Sequence, residues 1–273
     1  MNVSNGARFT VYGVRNRNSD RVGRRFAMGS ALPYRIINHP SGNVGLSPGG
    51  VVMYGDAYGL RSFLDAAIMS ARDWVYLDNG YFKPGHFNGF YRVTRGAYAC
   101  SGEPNAITQS RLRRWQNLKL DIKPWQRGSF ILVCPPGESY GRWRGLDLGS
   151  WLQNTIETLR AHTDREIIVR TKPSPYERRN NPIQEALQGA HALVTYASNT
   201  ATEALLEGVP VFCNGPKSEC SAYHMCERDF SKIETPHYPA ERLAWACELA
   251  ANQWSMGEIM NAACWREFQG NIS

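Results

Sequence analysis

Apolar residues along this chain fall into two alternating patterns. Short runs of β-branched, aliphatic or aromatic residues recur throughout, and between them lie stretches whose apolar side chains return every three or four positions. The first pattern predicts buried strands, the second amphipathic helices, and their alternation predicts parallel βαβ units. Predicted strands in the first part are Phe9 to Val14, Tyr34 to His39, Val51 to Gly55, Trp74 to Asn79 and Phe90 to Thr94. Between them come a basic helix over Asp20 to Leu32 and an amphipathic one over Leu60 to Arg72, in which Leu60, Phe63, Leu64, Ala67, Ile68 and Ala71 share one face.

Polar and turn residues take over from Ser101 to Gly128, and the segment LKLDIKPWQRG reads as a connector. A second set of elements follows. Strands are predicted at Ser129 to Cys134, Glu166 to Thr171, Ala192 to Ala197 and Pro210 to Cys213, and helices at Ser150 to His162, Pro182 to Gln188 and Asn199 to Leu206. The stretches ERLAWACELAANQW and GEIMNAACWREF then read as two terminal helices. The expected architecture is α/β, with two Rossmann-like domains facing a cleft, residues 1–127 and 128–273, the second carrying the C-terminal helices.

Charge divides the chain more sharply than composition does. The net charge is +7, but residues 1–127 hold 18 Lys and Arg against 7 Asp and Glu, net +11, whereas residues 128–273 hold 13 against 17, net −4. A strongly basic front half points to a polyanionic partner, with a merely solvated basic face as the alternative. The seven cysteines are odd in number and contain no CxxC pair, and Cys134 and Cys213 sit in apolar runs, as small hydrophobes of a reducing compartment do. Neither an apolar signal region nor a window of about 18 apolar residues is present, so the sequence reads as cytoplasmic.

Ligand sites in parallel α/β sheets form where loops leave the C-terminal strand ends. In the second half one such loop carries Ser198, Asn199 and Thr200 into a short helix, whose N–H groups and dipole suit a phosphate. Glu203 lies one turn in, before the turn Gly208, Val209, Pro210, where a carboxylate could accept from ribose hydroxyls. A second loop places Arg170 and Lys172 at a strand end, and a third, CPPGESYGRW, places Gly137 and Ser139 at another. Cations there would stabilise a departing diphosphate.

The run from Ser198 to Ala204, with Gly208, Val209 and Pro210, resembles the donor-binding helix of GT-B glycosyltransferases and of the non-hydrolysing UDP-sugar 2-epimerases. The loop VRTKPSP is similar to the arginine-x-histidine-proline loop of capsule-type transferases, with Lys172 where histidine is usual. The resemblance covers about Glu166 to Gly215 and implies that Glu203 holds the ribose of a nucleotide-sugar co-substrate, a UDP-sugar in the first instance. It implies that the helix N-terminus holds the diphosphate and that catalysis requires no metal.

GT-B enzymes build the acceptor site mainly on the N-terminal domain, and inverting members add a carboxylate or histidine as base. Asp78, ending a hydrophobic strand before a glycine turn, is the first candidate and Asp56 the second, with His39 and His86 nearby; each aspartate also fits a plain turn role. Arg15, Arg17, Arg21, Arg24 and Arg25 follow the first strand, and Lys83, Arg92 and Arg111 add cations beside aromatic residues. Such groups suit a phosphate backbone and an unstacked base. Cys213, Cys220, His224 and Cys226 invite a zinc reading, but their spacing matches no standard structural site.

Together these features point to a nucleotide-sugar glycosyltransferase with a DNA acceptor, similar to the phage enzymes that glycosylate hydroxymethylated pyrimidines. The alternatives are transfer to a capsule or lipopolysaccharide sugar, sugar-nucleotide epimerisation, and a non-catalytic nucleic-acid-binding role.

Overall fold

The computed structural model describes residues 8–14, 17–38, 49–55, 60–84, 88–173 and 181–270. They divide into two compact units: Met1–Tyr98 with Asn252–Ser273, and Ala99–Ala251.

In the first unit β1 (Phe9–Gly13), β2 (Tyr34–Asn38), β3 (Gly50–Tyr54), β4 (Trp74–Asn79) and β5 (Phe90–Arg95) fall within two residues of the predicted strands, and α1 (Asn18–Gly29) and α2 (Arg61–Met69) realise the two helices. In the second unit come α3 (Gln109–Asn117), β6 (Phe130–Cys134), α4 (Glu138–Arg144), α5 (Leu148–Arg160), β7 (Glu166–Val169) and α6 (Ile183–Ala186). These are followed by β8 (Ala190–Thr195), α7 (Thr200–Glu207), β9 (Val211–Cys213), β10 (Cys226–Glu227) and α8 (Arg242–Ala251). The chain then returns to the first unit as β11 (Gln253–Ser255), α9 (Met256–Met260) and α10 (Ala263–Gly270).

The first unit's sheet has the order β11-β5-β4-β3-β1-β2. Strands β2, β1, β3 and β4 are parallel, as the alternating pattern predicts, but β5 runs antiparallel to β4 and β11 antiparallel to β5. The terminal segment completes this core, because Trp254, Ile259, Cys264 and Trp265 are buried with Phe9, Val22 and Phe26. The Trp265 ring meets Phe9 edge-on at 5.1 Å. Close packing of α1 against α9 depends on Gly29, where an added Cβ would lie 2.1 Å from the Ile259 carbonyl oxygen. The stretch predicted as one helix through Trp254 thus ends at Ala251 and becomes an edge strand of the other unit.

The second unit is a five-stranded parallel sheet in the order β10-β9-β8-β6-β7, with a core of Ile131, Val133, Trp151, Val194, Phe212 and Ile233 among others. Successive connections step from β6 outward to β7, then cross back to β8. The topological switch point therefore lies between β6 and β8, and the crevice outside their carboxyl ends is where a doubly wound sheet binds ligands.

The unit boundary falls at Tyr98 rather than at residue 127. Backbone and side-chain contacts explain the difference. Arg111 ion-pairs with Glu248 of α8 at 2.7 Å, and Arg114 Nε donates to the Ala250 carbonyl at 3.1 Å. The connector itself is strapped to the end of α7: Lys123 N donates to Leu206 O and Gln126 N to Gly208 O, each at 2.8 Å. Gly208 is left-handed at φ 78°, and a Cβ there would stand 2.0 Å from the Pro124 carbonyl oxygen, so both its conformation and the approach of the connector require glycine.

Candidate functional site at the switch point of the second unit

Strands β6 and β8 end side by side, with Cys134 opposite Thr195 and the Thr195 hydroxyl donating to the Cys134 carbonyl at 2.7 Å. Each strand then leads into a helix, β6 into α4 and β8 into α7, so two helix N-termini open at one switch point. Gly137 is the residue before α4, and Ser139 sits exposed in its first turn. Ser198 and Asn199 precede α7, but Asn199 is in helical conformation and its own side chain makes no capping bond. Instead the Ser198 hydroxyl accepts from Thr200 N at 3.3 Å, and Thr202 donates to the Asn199 side-chain oxygen at 3.3 Å. The Thr200 hydroxyl is buried and makes no ordinary hydrogen bond.

The environment of Cys134 shows which predicted groups converge. Burial raises its thiol to about 12, Arg170 and the Thr200 hydroxyl act to lower it, and Glu203 raises it again. Arg170, Thr200 and Glu203 thus all act electrostatically on Cys134 at the carboxyl end of β6. Arg170 is aimed by Asn181, donating to its side-chain oxygen at 2.7 Å and to its carbonyl at 2.6 Å. Lys172 is exposed over the first loop: a Cβ built on Gly137 would lie 3.4 Å from its Cδ and 3.8 Å from its Nζ. Among the described residues neither Arg170 nor Lys172 forms an ion pair.

A second polar set beside these loops has no signature in the sequence. The Glu219 carboxylate, only 3% exposed, accepts from the Tyr140 phenol and pairs with Arg144 at 3.2 Å. Burial and the Glu219 carboxylate push the Tyr140 phenol well above its ordinary value, so it remains a donor. Tyr140 in turn packs beside Tyr196, 6.0 Å between ring centres, at the end of β8. These residues fix α4 against the loop that follows β9.

That loop also gathers three cysteines whose spacing had carried no signal. Cys213 Sγ lies 3.0 Å from Cys220 Sγ and 3.0 Å from Cys226 Sγ, and all three sulfurs are within 4.8 Å of one another. Hydrogen bonds accepted from the other two hold the Cys220 thiol well below its ordinary value.

In the first unit two of the candidate acceptor residues, Asp78 and Arg92, pair with each other. Asp78 accepts from Arg92 Nη2 at 2.7 Å and from Asn79 N at 2.8 Å. Burial disfavours the Arg92 charge, but Asp78 more than offsets this, helped by the Tyr81 and Tyr76 rings that flank the guanidinium at 5.7 and 5.8 Å, so Arg92 stays above its ordinary value. Arg24 pairs with Asp20 at 2.9 Å. Arg21 and Arg25 lie near the Tyr91 phenol, and Arg17 and Lys83 are exposed. Arg111 belongs to the other unit. Arg15, Asp56, His39 and His86 lie outside the described residues. Counted by unit, the first holds 13 Lys and Arg against 7 Asp and Glu, net +6 rather than the +11 of residues 1–127.

Two α/β units built on largely parallel sheets, the second carrying a switch-point site with two helix N-termini, define the GT-B fold. Among solved structures, the β-Kdo 2,4-transferase KpsC of Thermosulfurimonas dismutans is similar with a TM-score of 0.52 and 16% identity, covering 89% of this chain and 91% of its own. The β-Kdo 2,7-transferase KpsC of the same organism is similar with a TM-score of 0.50 and 14% identity, covering 94% and 99%. At these identities the likeness establishes the fold. No protein-family profile and no curated protein matches the chain. Among the described residues no helix is long and apolar enough to cross a membrane.

Proposed function

We propose that this chain is a glycosyltransferase that binds a nucleotide-activated sugar at the β6/β8 switch point and transfers the sugar to a hydroxyl of a saccharide acceptor. The carrying observation is that Arg170, Thr200 and Glu203 all act on Cys134 at the end of β6, while Lys172 lies over Gly137 at the start of α4. In this reading Gly137, Ser139, Ser198, Asn199 and Thr200 receive the phosphates, Arg170 and Lys172 stabilise the departing phosphate, and Glu203 holds the ribose. The donor is taken to be a UDP-sugar, and the leaving group's charge is met by cations and helix dipoles without a catalytic metal. Asp78 is tied to Arg92 in a structural pair, which leaves Asp56 as the proposed base.

The saccharide acceptor rests on the structural neighbours, both Kdo transferases. A DNA acceptor is the second reading, favoured by the exposed or half-exposed Arg17, Arg21 and Arg25 on and before α1. Its electrostatic warrant is smaller than the sequence suggests, since the unit's net charge is +6 and Arg24, Arg92 and Arg95 are each spent on an aspartate.

A donor screen tests the reading. One class of nucleotide sugar should raise the melting temperature, because a ligand present at about 100 times its Kd adds about 2.7 kcal/mol. Lys172→Ala and Glu203→Ala should each weaken that shift. Transfer is then assayed on acidic oligosaccharides and on hydroxymethylated DNA. No shift with any donor would refute the enzyme reading, and transfer confined to DNA would replace the saccharide acceptor with the second reading.

A further inference from the structure

The sulfurs of Cys213, Cys220 and Cys226 come together through tertiary structure. Cys213 ends β9, Cys226 opens β10, and the parallel pairing of these two strands sets Cys226 opposite Val211. Cys220 reaches back from the intervening loop, buried at 1% exposure, and Cys213 is fully buried. Two of the sulfur contacts are 3.0 Å, and all three sulfurs lie within 4.8 Å of one another. Three sulfurs around one centre are more than a disulfide can use, since that bond joins two. They do suit a thiophilic cation: zinc–sulfur bonds of about 2.3 Å at tetrahedral angles put neighbouring sulfurs roughly 3.8 Å apart, so the two 3.0 Å contacts would open by about 0.8 Å to receive the ion.

A further observation points the same way. Three thiolates around a divalent cation carry one net negative charge, and the Arg228 guanidinium lies within electrostatic reach of Cys220 and Cys226 to balance it. Arg228 is fixed there by a 2.9 Å bond to the Gly215 carbonyl and by the Tyr223 ring 4.8 Å away.

We propose that Cys213, Cys220 and Cys226 bind one zinc ion as thiolates, forming a structural site that fixes the loop after β9. Binding displaces whatever thiol protons the three cysteines carry to solvent and forms three zinc–sulfur bonds with no change of oxidation state. The loop so fixed carries Glu219, which anchors Tyr140 and Arg144, and Ser221, whose hydroxyl lies 2.9 Å from that of Thr202 in α7. The ion would therefore hold in place the scaffold beneath the switch point while taking no part in group transfer.

The test needs no activity. The full chain, purified under reducing conditions without chelator, should contain close to one zinc per molecule by elemental analysis. Cobalt substitution should give the intense thiolate-to-metal absorption of a tetrahedral sulfur site. Alkylation followed by mass spectrometry should find these three cysteines protected together and released together by a chelator. Cys213→Ser, Cys220→Ser and Cys226→Ser should each lose the metal, whereas Cys247→Ser, at a buried cysteine in α8, should keep it. The proposal is overturned if the reduced chain holds no stoichiometric zinc and gives no cobalt–thiolate band. A Cys213 disulfide to Cys220 or Cys226 in metal-free protein would overturn it as well. The wild-type metal content and protection pattern decide the matter even where a serine variant fails to fold.

Discussion

Replacing Asp78 by asparagine separates a structural from a catalytic role for that carboxylate. Asp78 and Arg92 face each other across the antiparallel β4/β5 pair, 2.7 Å apart, with 26% and 18% of their side chains exposed. Removing one partner of a buried ion pair costs about 3–5 kcal/mol, because the other is left charged in a poor solvent. The residual exposure lets water reach this pair, so we expect a loss of roughly 2–3 kcal/mol for Asp78→Asn. At roughly 4 °C per kcal/mol for a unit of this size, the melting temperature should fall by about 10 °C. Arg92→Met removes the charge but keeps a long apolar stem, and should cost a comparable amount. Their combination should lose clearly less than the sum, since neither charge is then stranded; a coupling of about 1–3 kcal/mol is expected from the double-mutant cycle. Thermal and urea unfolding of the full chain give all four stabilities. If Asp78→Asn stays within about 0.5 kcal/mol of wild type yet abolishes sugar transfer, the structural assignment is refuted and Asp78 becomes the base.

Two glycines and one cap supply further checks. Gly208→Ala meets the Pro124 carbonyl oxygen at 2.0 Å in a left-handed conformation and should yield little folded protein, whereas Gly145→Ala, left-handed at φ 63° with open space around it, should cost only about 1–2 kcal/mol; equal losses in urea midpoint would contradict the packing argument. Asp147 caps α5, and its carboxylate is held below its ordinary value by the Ser150 hydroxyl first, then by the Ser150 and Gly149 amides. A lowered folded value means that its contribution is complete above the unfolded pKa of about 3.9 and is lost as pH falls through the folded one. Asp147→Ala should thus be less stable than wild type at pH 7, with the gap closing in acid; a gap that persists at the acid end would exclude the charged cap as its source.

Strand positions were legible because burial on both faces writes continuous apolar runs, as in FILVC and the stretch that became β8, and such runs need little help from the rest of the chain. The loops that leave β6, β7 and β8 were legible for a related reason: in parallel sheets the strand end itself marks the crevice. What the sequence hid depends on register and long-range packing. Helix α3 buries only Trp115, so it writes no apolar stripe. Strand β11 is three residues long and exists because β5 offers an edge. The pairing of Asp78 with Arg92 needs the β4/β5 register, and the cysteine cluster needs β9 beside β10. Charge misled by being summed along the sequence, which credited Arg111, Arg113, Arg114, Lys119, Lys123 and Arg127 to the wrong unit.

The return of the last residues to the first unit also sets an order of assembly. The second unit is continuous from Ala99 to Ala251, so it can finish as soon as it leaves the ribosome. The first unit begins earlier but cannot close: until Gln253–Ser255 are made, β5 stands as an open sheet edge, and Phe9, Val22 and Phe26 lack Trp265 and Ile259 over them. During synthesis the first half of the chain must wait, sticky and incomplete, for its final strand, reversing the usual N-to-C order of domain folding. Nascent chains stalled before Asn252 should therefore be the ones that chaperones hold longest.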